Sequence, residues 1–195
     1  HENFMRGINN YIEAFDGYAA TTEDFINSLT QGDYLEDNNC TFDVDQFQNW
    51  YYESGTPKVY INQSWDSNNS ILNVSFEQKL DNGDFFENKE FIIPILYSCY
   101  GRDNGNQPIV KETLFVLDKS KKNLQIKALT SDKKAPVLSI FRRFSAPVIW
   151  ESNLSIDDYL FLFLNDNDYF SRWDSGQYLM REILKTRLWN KANYS

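Results

Sequence analysis

The sequence predicts a mainly β chain with flanking helices, an antiparallel β-sandwich set between two partial α-helical regions. Three observations carry this. Apolar residues recur at helical spacing before residue 55, alternate at every second position between about Val59 and Glu151, and return to helical spacing after Ser155. The order is helices, strands, helices, with no low-complexity linker and no internal repeat.

In the first region Phe4, Met5, Ile8, Tyr11, Ile12 and Phe15 fall three and four residues apart, the buried face of an amphipathic helix that Asp16-Gly17 ends. Thr21 with Asp24 reads as a capping box opening a second, shorter helix through Phe25, Ile26 and Leu29. Asp43 can cap a third, carrying Val44, Phe47, Trp50 and Tyr51. After Gly55-Thr56-Pro57 the period becomes two. Val59 and Ile61, then Ile71 to Phe76, Lys89 to Tyr97, Leu114 to Leu117, Leu124 to Ala128 and a stretch around Ala146 to Glu151 are the expected strands. Asn82-Gly83, the polar run from Gly101 to Gln107 and a charged tip at Lys119-Ser120-Lys121-Lys122 supply turns. Six or seven such strands close naturally as a sandwich. Ser155 with Asp158 is a further capping box before Tyr159, Leu160, Phe163 and Leu164, and beyond Asn165-Asp166 the positions Phe170 to Leu188 keep helical spacing.

Composition narrows the function. With 195 residues, 42% hydrophobic and 16% aromatic, the chain can bury a core. Its net charge of −9 argues against a nucleic-acid partner, because phosphate binding needs a basic surface. Residues 1–56 hold 11 of the 28 acidic residues but only one basic residue, Arg6, which sets that region apart from the nearly neutral remainder. No run approaches the roughly 18 apolar residues of a membrane helix, and no secretory signal opens the sequence. Cys40 and Cys99 could pair once, but free thiols in a reducing, cytoplasmic setting are the expectation. The triplets at Asn39, Asn62, Asn68, Asn73 and Asn153 read as chance in so Asn-rich a chain.

The chemical signals point away from a reactive centre. The single histidine, His1, leaves no Ser-His-Asp or Cys-His set. His1-Glu2 begins like the zinc helix motif H-E-x-x-H, but Met5 stands at the second ligand. The carboxylate pairs Glu23-Asp24, Glu36-Asp37, Asp43 with Asp45, Asp157-Asp158 and Asp166 with Asp168 sit where helices start, and favour the helix dipole there. Asp81-Asn82-Gly83-Asp84 is a hairpin turn before it is a calcium loop, since Phe85 and Phe86 break the ligand spacing. Arg142-Arg143 beside Lys133-Lys134 reads as a solvated basic patch, and Trp50, Tyr51 and Tyr52 as packing aromatics. No catalytic, cofactor-binding or metal-ligating residue is therefore assigned.

Three phrases go further. They are Phe15-Asp16-Gly17-Tyr18-Ala19-Ala20-Thr21-Thr22-Glu23-Asp24-Phe25 continued at Phe47 to Pro57, then Phe141-Arg142-Arg143-Phe144-Ser145-Ala146-Pro147-Val148, then Asp166-Asn167-Asp168-Tyr169-Phe170-Ser171-Arg172-Trp173-Asp174. In this order and spacing the chain, from residue 2 to about 185, resembles aminopeptidase N, a zinc peptide hydrolase that releases N-terminal amino acids. The resemblance implies three pieces: residues 1–56 as terminal helices of a thermolysin-like catalytic domain, 57–151 as an immunoglobulin-like sandwich, and 152–195 as the first helices of a C-terminal helical domain. It implies zinc in the parent enzyme and none in this chain, because the H-E-x-x-H helix, the G-x-M-E-N loop and the transition-state tyrosine of the family all lie upstream. The implied partners are the remaining catalytic and C-terminal domains, with peptide as the parent's substrate and neither nucleic acid nor membrane. Family members commonly have cysteine where Thr22 stands, glutamine at Glu53 and, in many cases, glycine at Arg143. A stand-alone β-sandwich that binds carbohydrate or protein is the alternative reading.

Overall fold

The computed structural model describes residues 2–30, 43–80, 89–129 other than 104 and 106, and 134–193. Expectations placed on His1, Glu36-Asp37, Asn39, Cys40, the turn at 81–84 with Phe85 and Phe86, and Lys133 lie outside the described residues. The chain divides into two compact units, 1–54 and 55–195.

The first unit is helical. Helix α1 (Glu2–Phe15) ends where expected, with Gly17 at φ 77° in the left-handed region that glycine enters without steric cost. Helix α2 (Thr22–Thr30) starts at the capping box: Thr21 N–H donates to Asp24 Oδ2 at 2.9 Å, and Asp24 N–H donates to Thr21 Oγ1 at 3.2 Å. The two helices meet through Tyr11, edge-on to Phe25 at 5.1 Å, and through Gly7, where an added Cβ would lie 2.9 Å from Leu29 Cα. The third expected helix is two single turns, α3 (Val44–Phe47) and α4 (Asn49–Tyr52). Asp43 caps α3, accepting from Gln46 N–H at 3.0 Å, and Gln48 C=O restarts the ladder by accepting from Tyr51 and Tyr52. Tyr52 Oη donates to Glu23, which holds that exposed carboxyl below its ordinary pKa and ties α4 to α2.

The second unit is a two-sheet sandwich followed by a helical hairpin. One sheet has the order β5-β2-β1-β7 and the other β4-β3-β6, from β1 (Pro57–Asp66), β2 (Ile71–Leu80), β3 (Ile93–Tyr100), β4 (Pro108–Leu117), β5 (Lys121–Lys127), β6 (Val137–Ser139) and β7 (Ile149–Ser152). Alternation selects the core as the sequence predicts: Val59 and Ile61, then Leu72, Val74, Phe76 and Leu80, then Ile93 and Ile95 point inward. Three features differ from the sequence reading. β3 starts at Ile93, beyond a non-strand stretch that still buries Phe91, and runs on to Tyr100. β6 is three residues, all buried, too short to show a period. β7 pairs with β1 in parallel, Lys58 opposite Ile149 and Ile61 opposite Ser152, so the sandwich is antiparallel except at this edge.

Alternation also fails at the end of β3, where Tyr97, Ser98, Cys99 and Tyr100 are all buried. Both faces of the strand are covered there, because α5 (Ile156–Asn165) and α6 (Tyr169–Asn193) lie against its outer face. Cys99 is a free thiol whose pKa burial pushes up to about 12, so it is an inert core residue. Ser155 and Asp158 form the expected capping box on α5, with both reciprocal bonds in place. No described helix is long and apolar enough to cross a membrane.

Candidate functional site

The densest group of polar side chains gathers where β3, β6, the turn after β6 and the α5–α6 corner meet. The turn is a short 3-10 element at Arg142–Phe144, entered through Phe141. Phe141, Arg143 and Phe144 have φ of 52°, 55° and 55°, left-handed values that residues with a Cβ adopt only at a cost. This conformation sends the Arg142 side chain inward, to 3% exposure, and turns Phe144 outward.

Arg142 is the hub. Its Nε donates to Glu112 Oε2 on β4 at 2.9 Å, and Nη1 to Asp166 Oδ1 at 2.7 Å, to Ser139 Oγ at 3.1 Å and to Tyr100 Oη at 3.2 Å. Nη2 reaches Asn167 Oδ1 at 2.5 Å. Asp166, at the C-terminal end of α5, has a fully buried carboxylate that also accepts from Ser139 Oγ at 2.5 Å, from Tyr100 Oη at 2.9 Å and from the Asp168 N–H at 2.8 Å. A buried ion pair survives when its remaining lone pairs and protons are satisfied, and here they are. Burial opposes the charge on Arg142, but Asp166 and Glu112 outweigh it and raise the guanidinium pKa further. Burial likewise raises the Tyr100 phenol, so its proton stays in place to donate.

Asp168 does a second job. It stands just before α6 and accepts from Ser171 N–H at 2.9 Å, as an N-cap carboxylate does, and from Arg143 N–H at 3.1 Å. Burial would raise its pKa, but the Ser171 and Arg143 amides and the Ser171 hydroxyl outweigh that and hold it below the usual carboxylate value. Arg143 is left-handed at the residue whose amide Asp168 accepts. Beside this cluster opens a cleft of about 590 Å³, with Lys111, Arg143 and Tyr169 on its walls.

The expectation for Arg142 therefore needs correcting. It is not a solvated patch with its neighbours, because apolar burial of its stem and four elements' worth of acceptors draw it inside; Arg143, with a 71% exposed side chain, stays at the surface and pairs with Glu112 Oε1 at 2.9 Å. Asp166 and Asp168, read from the sequence as an acidic pair at a helix start, divide into a buried counter-ion and a cap. Gln78 and Tyr100 were not singled out by sequence reasoning. The signal for Gln78 was available: it keeps the inward parity of Leu72, Val74, Phe76 and Leu80 on β2.

The arrangement can hold parts of the second unit together. Among the described residues no group of three or more His, Cys, Asp or Glu side chains is placed to hold a metal ion. The nearest carboxylates, Glu112, Asp166 and Asp168, spend their oxygens on arginines, hydroxyls and amides, so this donor set does not fit zinc.

An immunoglobulin-like sandwich with a helical hairpin locked on its outer face is the class that this fold defines. Residues 55–153 match the family model described as "Domain of unknown function (DUF3458) Ig-like fold", and the chain belongs to that family. It is similar to aminopeptidase N of Haemophilus influenzae, 26% identical over 191 residues, covering 94% of this chain and 21% of the relative. It is also similar to aminopeptidase N of Escherichia coli, 28% identical over 199 residues with 94% and 21% covered, and to that of Caulobacter vibrioides, 29% identical over 185 residues with 94% and 20% covered. The fold is that of the corresponding part of Legionella pneumophila aminopeptidase A, solved in complex with aspartic acid, with a TM-score of 0.78, 24% identity, and 96% of this chain and 20% of that one covered. These matches bear out the resemblance read from the three phrases. The chain spans about a fifth of the length of each relative.

Proposed function

We propose that this chain is an interdomain segment of a zinc-dependent aminopeptidase N, serving to hold helices in place in an enzyme whose zinc site lies in other residues. The observation that supports this most is the single likeness to aminopeptidase N that runs through 94% of the chain, across both units, in three bacterial relatives. Residues 1–56 would be terminal helices of the catalytic domain, 57–151 the sandwich, and 152–195 the opening of a helical domain. Peptide would be the parent's substrate, the other domains its partners, and the cytoplasm its place.

The role of the Arg142 cluster fits this reading: the second and third phrases, far apart in sequence, come together there as a structural joint. The alternative of a stand-alone binding sandwich gains nothing, since Tyr51 and Tyr52 lie in the first unit and not on the sandwich. The test is activity. The 195-residue chain supplied with zinc should not cleave aminoacyl arylamides, and the parent gene should encode H-E-x-x-H upstream of residue 1. Zinc-dependent turnover by the pure chain, or a parent gene without that motif, would sink the reading.

A further inference from the structure

We infer that the segment 152–155, where the sandwich passes into the helices, is not a hinge, and that Arg142 locks the sandwich and the α5–α6 hairpin into one rigid, cooperatively unfolding body. Three independent sets of contacts carry this, and none depends on the aminopeptidase reading.

The connecting segment itself is stitched to β1. Asn153 uses its side-chain amide as a strand would use its backbone, accepting from Gln63 N–H at 3.0 Å and donating to Gln63 C=O at 2.9 Å. Its own N–H donates to Ile61 C=O at 3.3 Å, so the β1–β7 ladder continues past the last residue of β7. A flexible linker leaves its backbone to water; this one does not.

The two parts also share a core. Tyr100 and Val137 from the strands are buried in one cluster with Leu154, Tyr159 and Leu162, and Trp150, Phe161 and Tyr178 pack around it. Tyr159 and Tyr178 stack at 3.8 Å between ring centroids, which joins α5 to α6 over that cluster. Swinging the hairpin away would strip apolar surface from both sides at once.

The third set is the buried charge. Asp166 belongs to the hairpin and Arg142 to the sandwich, so separation would strip the buried Asp166 carboxylate of its cation and leave Arg142 with Glu112 alone. The left-handed turn at Phe141–Phe144 points the same way. Strain of this kind persists only where surroundings over-determine the backbone, and the surroundings here are Asp168, Asn167 and Asp166 of the hairpin corner. Arg102 with Asp158 closes a further ion pair from the β3–β4 connection to α5.

Native-state hydrogen exchange of the whole 195-residue chain in increasing urea tests this. The amides of β1, β2 and β3 and those of α5 and residues 169–180 should open together, with rates within roughly threefold and the same urea dependence. Helical amides that open roughly tenfold faster than the strands, with a shallow urea dependence, would overturn the inference. Arg142→Met should then uncouple the parts, making the hairpin exchange at least roughly tenfold faster than the strands. If Arg142→Met does not fold, Arg142→Lys, which keeps a charge and loses the fork, should show the same uncoupling to a smaller degree. Unchanged relative protection in the folded variant would remove Arg142 from the role of lock.

Discussion

Gln78 and Arg142 each bury a polar side chain in the second unit, one alone and neutral, the other in a charged company. Gln78 sits on β2 and meets only backbone: Nε2 donates to Phe91 C=O at 2.9 Å and to Lys119 C=O at 3.0 Å, while Oε1 accepts from Phe91 N–H at 2.8 Å. It thereby sutures one sheet to the segments that enter β3 and leave β4 in the other. Arg142 bonds only side chains, drawn from β3, β4, β6 and the α5–α6 corner. The first knot belongs to the sandwich and would serve any sandwich. The second joins the sandwich to the helical pair on its outer face.

The comparison breaks most visibly at Arg142. Arg142→Met keeps much of the stem's volume and leaves the fully buried Asp166 carboxylate without its cation, so a loss of about 3–5 kcal/mol is expected in urea denaturation. Gln78→Leu strands a buried N–H and two carbonyls without stranding a charge, and a loss of about 2–3 kcal/mol is expected by the same measurement. The order matters more than the values. If Gln78→Leu proved the more damaging, the sheet-to-sheet suture, and not the ion cluster, would be the principal polar support of this unit.

A smaller effect separates the knots by pH. Asp168 has a folded-state pKa below its unfolded one, so its contribution is present above the ordinary carboxylate value and lost as pH falls through the depressed folded value. Asp168→Ala should cost about 1 kcal/mol near neutrality, the worth of an N-cap, and the cost should vanish in acid. Gln78→Leu should show the same loss at both pH values, since none of its partners titrates. An Asp168→Ala penalty that persists unchanged below the ordinary carboxylate range would mean that the carboxylate's charge plays no part in the cap.

Most of the architecture was legible because it rests on local rules. The helix starts at Thr21, Asp43 and Ser155 are capping chemistry within three residues, and the β1 and β2 core follows from parity. What escaped was set by contacts distant in sequence. Nothing near Arg142 says that an acid 24 residues on will draw it inside, and a charged doublet beside lysines reads as surface. The parallel pairing of β7 with β1 leaves no mark on a period of two, and β6 is too short to have a period. The resemblance singled out the phrases Phe141 to Val148 and Asp166 to Asp174, but neither their meeting nor its chemistry.

The finest division lies between adjacent residues. Arg143 shares the turn with Arg142, yet its guanidinium is largely exposed and its one ion pair, with Glu112, is the kind worth about 0–1 kcal/mol. What the fold takes from position 143 is backbone: a left-handed φ of 55° and an N–H that donates to Asp168. Glycine meets that demand without the cost of about 1–2 kcal/mol that a Cβ imposes in the left-handed region. Against this, glycine loosens the unfolded chain by about 0.4–1 kcal/mol and forfeits the surface pair. Arg143→Gly should thus change stability by less than about 0.5 kcal/mol, whereas Arg143→Ala keeps the strain, loses the pair, and should fall below the glycine variant by up to about 1 kcal/mol. If alanine and glycine were equally damaging, the side chain and not the backbone would be what position 143 contributes, and the contrast between the two arginines would shrink to one of degree.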